Sequence, residues 1–158
     1  MASGLYVETF EAAFKNDLAL DMDNDTFKCM LVNASYTPNF ETHTNKTDVT
    51  NEISGTGYTA GGETLTSVAM TSSSDGTGTI KWDADDVSWT SSTLSAVRAG
   101  VIYDDTVTDD RLIAYIDFGE ISVQRQAHFK YSGMRLVFSP LIWFHRSNNA
   151  NVKLSNIS

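Results

Sequence analysis

Apolar positions along this chain follow a helical spacing near its start and short strand-like runs after it. Tyr6, Phe10 and Phe14 recur at intervals of four, with Val7 and Ala13 beside them, which is the spacing of one helix face. Glu8 and Glu11 fall in the first half of that stretch and Lys15 in its last turn, as the helix macrodipole favours. The spacing predicts one amphipathic helix over 5–16, packed on a sheet. From Thr26 the pattern is that of strands. Residues 26–33, 63–70, 79–82, 87–89, 96–103 and 111–118 are β-compatible, and polar turns at 21–25, 72–78, 83–86 and 104–110 separate them. Tyr36-Thr37-Pro38-Asn39 reads as a further turn, because proline fixes its own φ and pushes Thr37 towards an extended conformation. Residues 41–50 fit a short helix or an irregular loop, and Gly55-Thr56-Gly57 and Gly61-Gly62 punctuate the stretch between there and residue 63. Short strands at this spacing favour antiparallel pairing. The expected fold is mainly β: an antiparallel β-sandwich-like domain with one N-terminal amphipathic helix. Phe10, Phe14, Leu31, Ile80, Val101, Ile113 and Ile116 are expected in or near its core.

Charge divides the chain where the strand pattern weakens. All twenty Asp/Glu and six of the eleven Lys/Arg lie in residues 1–120; the other five cations, Arg125, Lys130, Arg135, Arg146 and Lys153, lie in 121–158 with no acid among them. We therefore read 1–120 as one sandwich-like domain and 121–158 as an atypical basic tail. A balance of −14 in the first piece argues against nucleic acid as its partner, since phosphate binding needs clustered Lys/Arg. No apolar run approaches the ~20 residues of a membrane span, and no signal peptide is apparent. The sequons at Asn24, Asn33 and Asn45 are then expected to be chance matches, in a protein made in the cytoplasm.

Candidate chemistry is thin. Cys29 is the only cysteine and lies in the apolar run 27–32, where a buried inert thiol is the expectation. A Cys29–His43 pair would need that thiol exposed beside an orienting carboxylate. Asp21-Met22-Asp23-Asn24-Asp25 resembles the start of a calcium loop, but Thr26 and Val32 stand where glycine and glutamate are required. Looser cation sites at 21–25, 83–86 or 104–110 compete with the simpler reading of solvated turn carboxylates. No nucleophile elbow, zinc-helix motif or phosphate loop occurs in 1–120. Trp82 and Trp89 could stack on a sugar ring or serve as core or interface aromatics. We expect no catalytic residue, no metal and no cofactor.

Several stretches, taken in order, resemble a family of small tailed-bacteriophage virion structural proteins. They are the helix Leu5-Tyr6 to Phe14-Lys15, then Asp23-x-Asp25-Thr26-Phe27-Lys28-Cys29-Met30-Leu31-Val32, then Ser35-Tyr36-Thr37-Pro38. Thr50-Asn51-Glu52-Ile53-Ser54-Gly55-Thr56-Gly57-Tyr58-Thr59-Ala60-Gly61-Gly62 continues it, followed by Trp82–Trp89 and Leu112-Ile113-Ala114-Tyr115-Ile116-Asp117-Phe118-Gly119. The resemblance covers nearly all of 5–119, and its Gly-Tyr-x-Ala-Gly-Gly and Asp-Ala-Asp-Asp-Val blocks are fairly specific. It implies a particle component located in the virion, present in many copies or as a homo-oligomer, with the major capsid protein or other virion proteins as partners. It implies neither nucleic-acid nor membrane binding.

Departure from the family begins at Glu120. The family would continue into a final hairpin of the form Thr-Leu-Gln-Ile-Gln-Trp-Asn/Asp-x-x-Gly-Ile-Phe, whereas this chain reads Ala127-His128-Phe129-Lys130-Tyr131-Ser132-Gly133-Met134-Arg135-Leu136-Val137-Phe138. Starting each codon at the third base of the one before, Phe129 into Lys130 gives Gln or a stop, and Lys130 into Tyr131 gives Ile or Val. Tyr131 into Ser132 permits Gln, Ser132 into Gly133 permits Trp, and Gly133 into Met134 permits Asn or Asp. The missing strand is thus available in the neighbouring frame. Residues from about 121 are expected to be out of frame relative to the family; the alternative is a divergent tail that binds a partner through its basic and aromatic residues. A sandwich that lost a final hairpin would expose a strand edge, which 136–138 and 141–144 could partly cover.

Three readings of function compete on these grounds. The first is a non-enzymatic virion structural protein decorating or cementing the capsid exterior. The second is a tail- or fibre-associated host-binding adhesin that touches a glycan through loop aromatics. Tyr36, Phe40, Tyr58, Trp82 and Trp89 are the candidate partner contacts. A hydrolase using turn carboxylates is the third and weakest reading.

Overall fold

The fold is described from a computed structural model, which places residues 2–72, 78–131 and 135–138 and, among them, side chains as far as Gly119. It is mainly β and antiparallel throughout, with one helix near the N-terminus. β1 (Gly4–Leu5) precedes α1 (Val7–Phe14), and β2 (Phe27–Asn33) comes after it. Next come the short strands β3 (Gly55–Thr56), β4 (Glu63–Thr64), β5 (Ala69–Ser72) and β6 (Ile80–Asp83), then the long pair β7 (Val87–Asp104) and β8 (Leu112–Tyr131), and last β9 (Arg135–Phe138). The larger sheet has the order β1-β8-β7-β2-β4 with β3 added on β7; the smaller has the order β5-β6-β9.

β2 shows why the sheet is central. Its side chains alternate between two cores: Phe27, Cys29 and Leu31 enter one, Met30 and Val32 the other. A strand buried on both faces carries a nearly continuous apolar run, as this one does. On β7, opposite it, Ile102 joins the first core while Ala99, Val101 and Tyr103 join the second. The first face is covered by Leu65, by Trp89 and by Trp82 of the smaller sheet, whose ring meets Phe27 edge-on at 5.1 Å. The second is covered by Tyr6, Tyr36, Phe40 and Val49.

Several expectations are corrected. The helix is shorter than 5–16 because Leu5 pairs with Ala114 in β1, and Tyr6 is extended at its N-cap. Beyond Phe14 the chain turns away, with Asn16 at φ 64°. Phe10 packs on the first core, but Phe14 is 84% exposed, because the helix ends before its last turn can lie on the sheet. Ile80 is 45% exposed at the outer end of β6, where its pairing partner Ser72 is exposed as well; Trp82, two residues on, takes the buried position. The strand expected over 63–70 is broken at Ser67, which has φ 53°. At Tyr36–Asn39 the chain is not itself turned: the tight hydrogen bonds lie on either side, Tyr36 N–H to Asn33 O and His43 N–H to Asn39 O. Residues 41–50 contain a 3₁₀ turn, Lys46–Asp48, closed by a capping box between Asn45 and Asp48.

Strands expected separately at 87–89 and 96–103 are one strand. Ser91 (φ 53°) and Ala96 (φ 60°) put left-handed residues into it, and its ladder with β8 shifts register four times between Trp89 and Ala99. Such bulges bend a strand and increase its twist. β8 runs without interruption through the charge break at Glu120, and β9 pairs with β6. The polar turn expected at 72–78 and the tail segment 141–144 fall mostly outside the described residues, as do the tail side chains.

Candidate functional site

The motif Gly57-Tyr58-Thr59-Ala60-Gly61-Gly62 lies beside β2, and its residue types are explained by that position. β4 pairs with β2 only at Lys28 and Cys29, so the edge of β2 beyond them needs other partners. The Tyr58 hydroxyl accepts from Leu31 N–H at 3.0 Å and donates to Glu52 Oε1 at 2.6 Å. Gly61 N–H donates to the same carboxylate oxygen at 2.6 Å, and the Tyr103 hydroxyl donates to Gly61 O at 2.8 Å. Ile53 N–H reaches Leu31 O and Asn33 N–H reaches Asn51 O. Gly62 has φ 78°, and a Cβ there would lie 1.8 Å from Cys29 O. The block is a side-chain substitute for a missing strand, and glycine is the residue that permits its approach.

A second network crosses the opposite face. Tyr6 OH lies 2.9 Å from Tyr36 OH, which lies 3.0 Å from His43 Nδ1. Asn39 N–H also points at that nitrogen, at 3.4 Å, so Nδ1 is the acceptor and Tyr36 donates to it. Phe40 closes the layer, with ring centroids 5.5 Å from Tyr6 and 6.3 Å from Tyr115. Burial pushes the Tyr6 phenol far above its ordinary pKa, and the bond to Tyr36 adds to the effect. Asp48 is held below the usual carboxylate range by the backbone N–H groups of Thr44 and Asn45 and by His43 nearby. Lys46 sits 4.7 Å over the Tyr103 ring and 3.3 Å from Asp110. These polar groups fix loops to the sheet.

The acidic turns gather at one end of the larger sheet. Residues 21–25 lead into β2 and 104–110 leave β7, next to each other because Phe27 pairs with Asp104. Asp85 joins them through Leu65 and the residues after it: Leu65 N–H donates to Phe27 O, and Ser67 Oγ and Thr66 Oγ1 donate to Asp85 Oδ2. Lys28 answers Asp105 at 2.7 Å. Among the described residues no three His, Cys, Asp or Glu side chains converge as metal ligands. No described helix is long and apolar enough to cross a membrane.

The five candidate partner contacts do not form a patch. Tyr36 (2% exposed) and Phe40 belong to one face of the sheet; Tyr58, Trp82 (0%) and Trp89 (1%) pack with the other. Tyr36, Trp82 and Trp89 are withdrawn as contacts of the chain as it stands, because the two cores enclose them. Phe40 and Tyr58 are half-buried, with their rings against the second and first cores. Cys29 and His43 are not partners either: the thiol is buried, with its pKa pushed up to about 12 by burial, and the imidazole serves Tyr36. Phe14, expected in the core, stays exposed on α1 together with Val7, and Asp104, one of the acids of the 104–110 turn, is buried. A charged residue at a hairpin end resembles any turn acid until the fold closes over it. Compared with protein-family models, with curated proteins and with solved structures, the chain gives no match.

Proposed function

We propose that this chain is a non-enzymatic structural component of a bacteriophage particle, decorating or cementing the capsid exterior in many copies, with the major capsid protein or another virion protein as its partner. The sequence resemblance over 5–119 supplies the family. One structural observation supports a scaffold over a catalyst: several reactive side chains among the described residues are engaged in holding backbone or are sealed in a core. Glu52 fixes Tyr58 and Gly61, Asp48 fixes Thr44 and Asn45, and Cys29 is enclosed. A protein that must persist on a particle gains from such cross-ties, and its acidic turns suit exposure to water while offering charge to a complementary shell.

The test is the position and copy number of the protein on purified particles, by electron cryomicroscopy and quantitative mass spectrometry. Repeated density on the capsid facets is expected. A few copies at the tail would favour the adhesin instead, and absence from the particle would remove the assignment.

A further inference from the structure

The segment from Tyr36 to Thr44 lies as a strap over the second core, and one hydrogen-bond relay runs from beneath it to its surface. Tyr6 OH lies 2.9 Å from Tyr36 OH, and Tyr36 OH lies 3.0 Å from His43 Nδ1. Tyr6 and Tyr36 are buried, whereas His43 is half-buried. Asn39 N–H faces the same nitrogen at 3.4 Å. Two donors on Nδ1 put the imidazole proton on Nε2 and fix the direction of the relay: Tyr6 donates to Tyr36, and Tyr36 donates to His43.

That direction satisfies every group only while the imidazole is neutral. A proton added to Nδ1 makes it a donor, so Tyr36 must accept from it and donate to Tyr6 instead. The Tyr6 hydroxyl then keeps a proton with no second acceptor among the described residues, on a side chain that is fully buried. Asn39 N–H is left pointing at another N–H. A buried donor without an acceptor costs more than an ordinary hydrogen bond contributes, and the cost disappears once the strap lifts and water reaches the hydroxyls.

The charges around His43 do not supply the missing acceptor. Asp48, in the 3₁₀ turn, is close enough for His43 to help hold its carboxyl low, but its Oδ2 receives Thr44 N–H at 2.8 Å and Asn45 N–H at 3.1 Å. Its attraction acts on the imidazolium charge, not on the proton stranded at Tyr6. Lys46 turns to Asp110 and to the Tyr103 ring. Tyr115, on β8, meets Tyr36 ring to ring at 6.0 Å, and Glu41, on the strap itself, is exposed. Two backbone bonds also tie the strap down, Val7 N–H to Phe40 O and Leu112 N–H to Thr44 O, both at 2.9 Å.

We propose that His43 is the proton-sensitive end of a latch: a proton on its Nδ1 breaks the Tyr6–Tyr36 relay and lifts residues 36–43 from the second core. Opening uncovers Tyr36 and Phe40, the aromatic cover of that core. The unfolded chain binds the proton below about pH 6.5, the ordinary imidazole range, whereas the folded chain binds it only by losing the relay. The stability that the relay contributes is therefore present above that range and lost as pH falls through it. Asp104, whose carboxyl burial lifts to about 6, acts in the opposite sense, favouring the fold at acid pH. Substitution at His43 separates the two.

The experiment has three arms on the full chain. At pH 7.5, long-range nitrogen-15 NMR should show His43 protonated at Nε2 and bare at Nδ1; the opposite tautomer would overturn the relay. Lowering the pH to 5 should speed exchange of the Val7 and Asn39 amides about tenfold or more after correction for intrinsic rates, while the Leu31 amide keeps its protection. Unchanged protection at Val7 and Asn39 would overturn the opening. His43→Asn, which keeps an acceptor oxygen near the Nδ1 position and does not titrate, should melt close to the wild type at pH 7.5 and above it at pH 5. A difference between the two proteins that is the same at both pH values would mean a purely structural histidine and overturn the latch. Tyr36→Phe, which removes the relay outright, should lower the melting temperature more at pH 7.5 than at pH 5; an equal loss at both would also overturn it.

Discussion

Tyr58→Phe removes one oxygen and should disturb the edge of the central strand more than any other conservative change. The Leu31 N–H, on a fully buried residue, has the Tyr58 hydroxyl as its acceptor at 3.0 Å, and Glu52 loses one of its two donors. Leaving a buried donor unsatisfied costs about 1–3 kcal/mol, and loss of a hydrogen bond to a charged group roughly 1–2 more. The ring itself remains, so no cavity opens. We expect a loss of about 2–5 kcal/mol, which for a chain of this length lowers the melting temperature by on the order of 10 °C. Urea unfolding with an unchanged m-value measures it, and native-state exchange of the Leu31 amide should accelerate locally. Glu52→Gln keeps an acceptor for both donors and should cost about 1 kcal/mol. A Tyr58→Phe loss under about 0.5 kcal/mol, or a Leu31 amide that exchanges as before, would refute the idea that this hydroxyl replaces a strand.

Gly62→Ala places a Cβ 1.8 Å from Cys29 O at φ 78°, whereas Gly78→Ala meets nothing within 4 Å at φ 68°. The second should cost only the left-handed strain of about 1–2 kcal/mol, and the first clearly more, seen as a lower denaturation midpoint or loss of soluble protein. The Cys29 thiol, buried and pushed up to about 12, should resist a disulfide reagent at pH 8 in the native protein and react fully in denaturant; prompt native labelling would contradict its enclosure. Restoring the alternative frame after Glu120 in the gene should raise the melting temperature and reduce aggregation by completing the final hairpin; a restored protein no more stable than this one would leave the tail as authentic.

The sequence by itself determined what depends on local period and turn chemistry. Short β-compatible runs from Thr26 onwards, with Gly, Asp and Ser turns between them, specified an antiparallel β-rich fold, and the run around Cys29 specified an inert buried thiol. The four-residue spacing of Phe10 and Phe14 specified a helix, although Tyr6, in step with them, stands outside it in an extended conformation. Tertiary structure decided what depends on which surfaces meet. It shortened the helix by recruiting Leu5 into β1, left Phe14 in solvent and drew Trp82 and Trp89 into a core. It also placed Tyr36 and Phe40 across the sheet from Tyr58. Nothing in the spacing of Thr26 and Asp105, seventy-nine positions apart, announces that they bond; the pairing of Phe27 with Asp104 brings them together. Period reports the direction a side chain takes from its own backbone, whereas burial and charge depend on the chain that lands opposite.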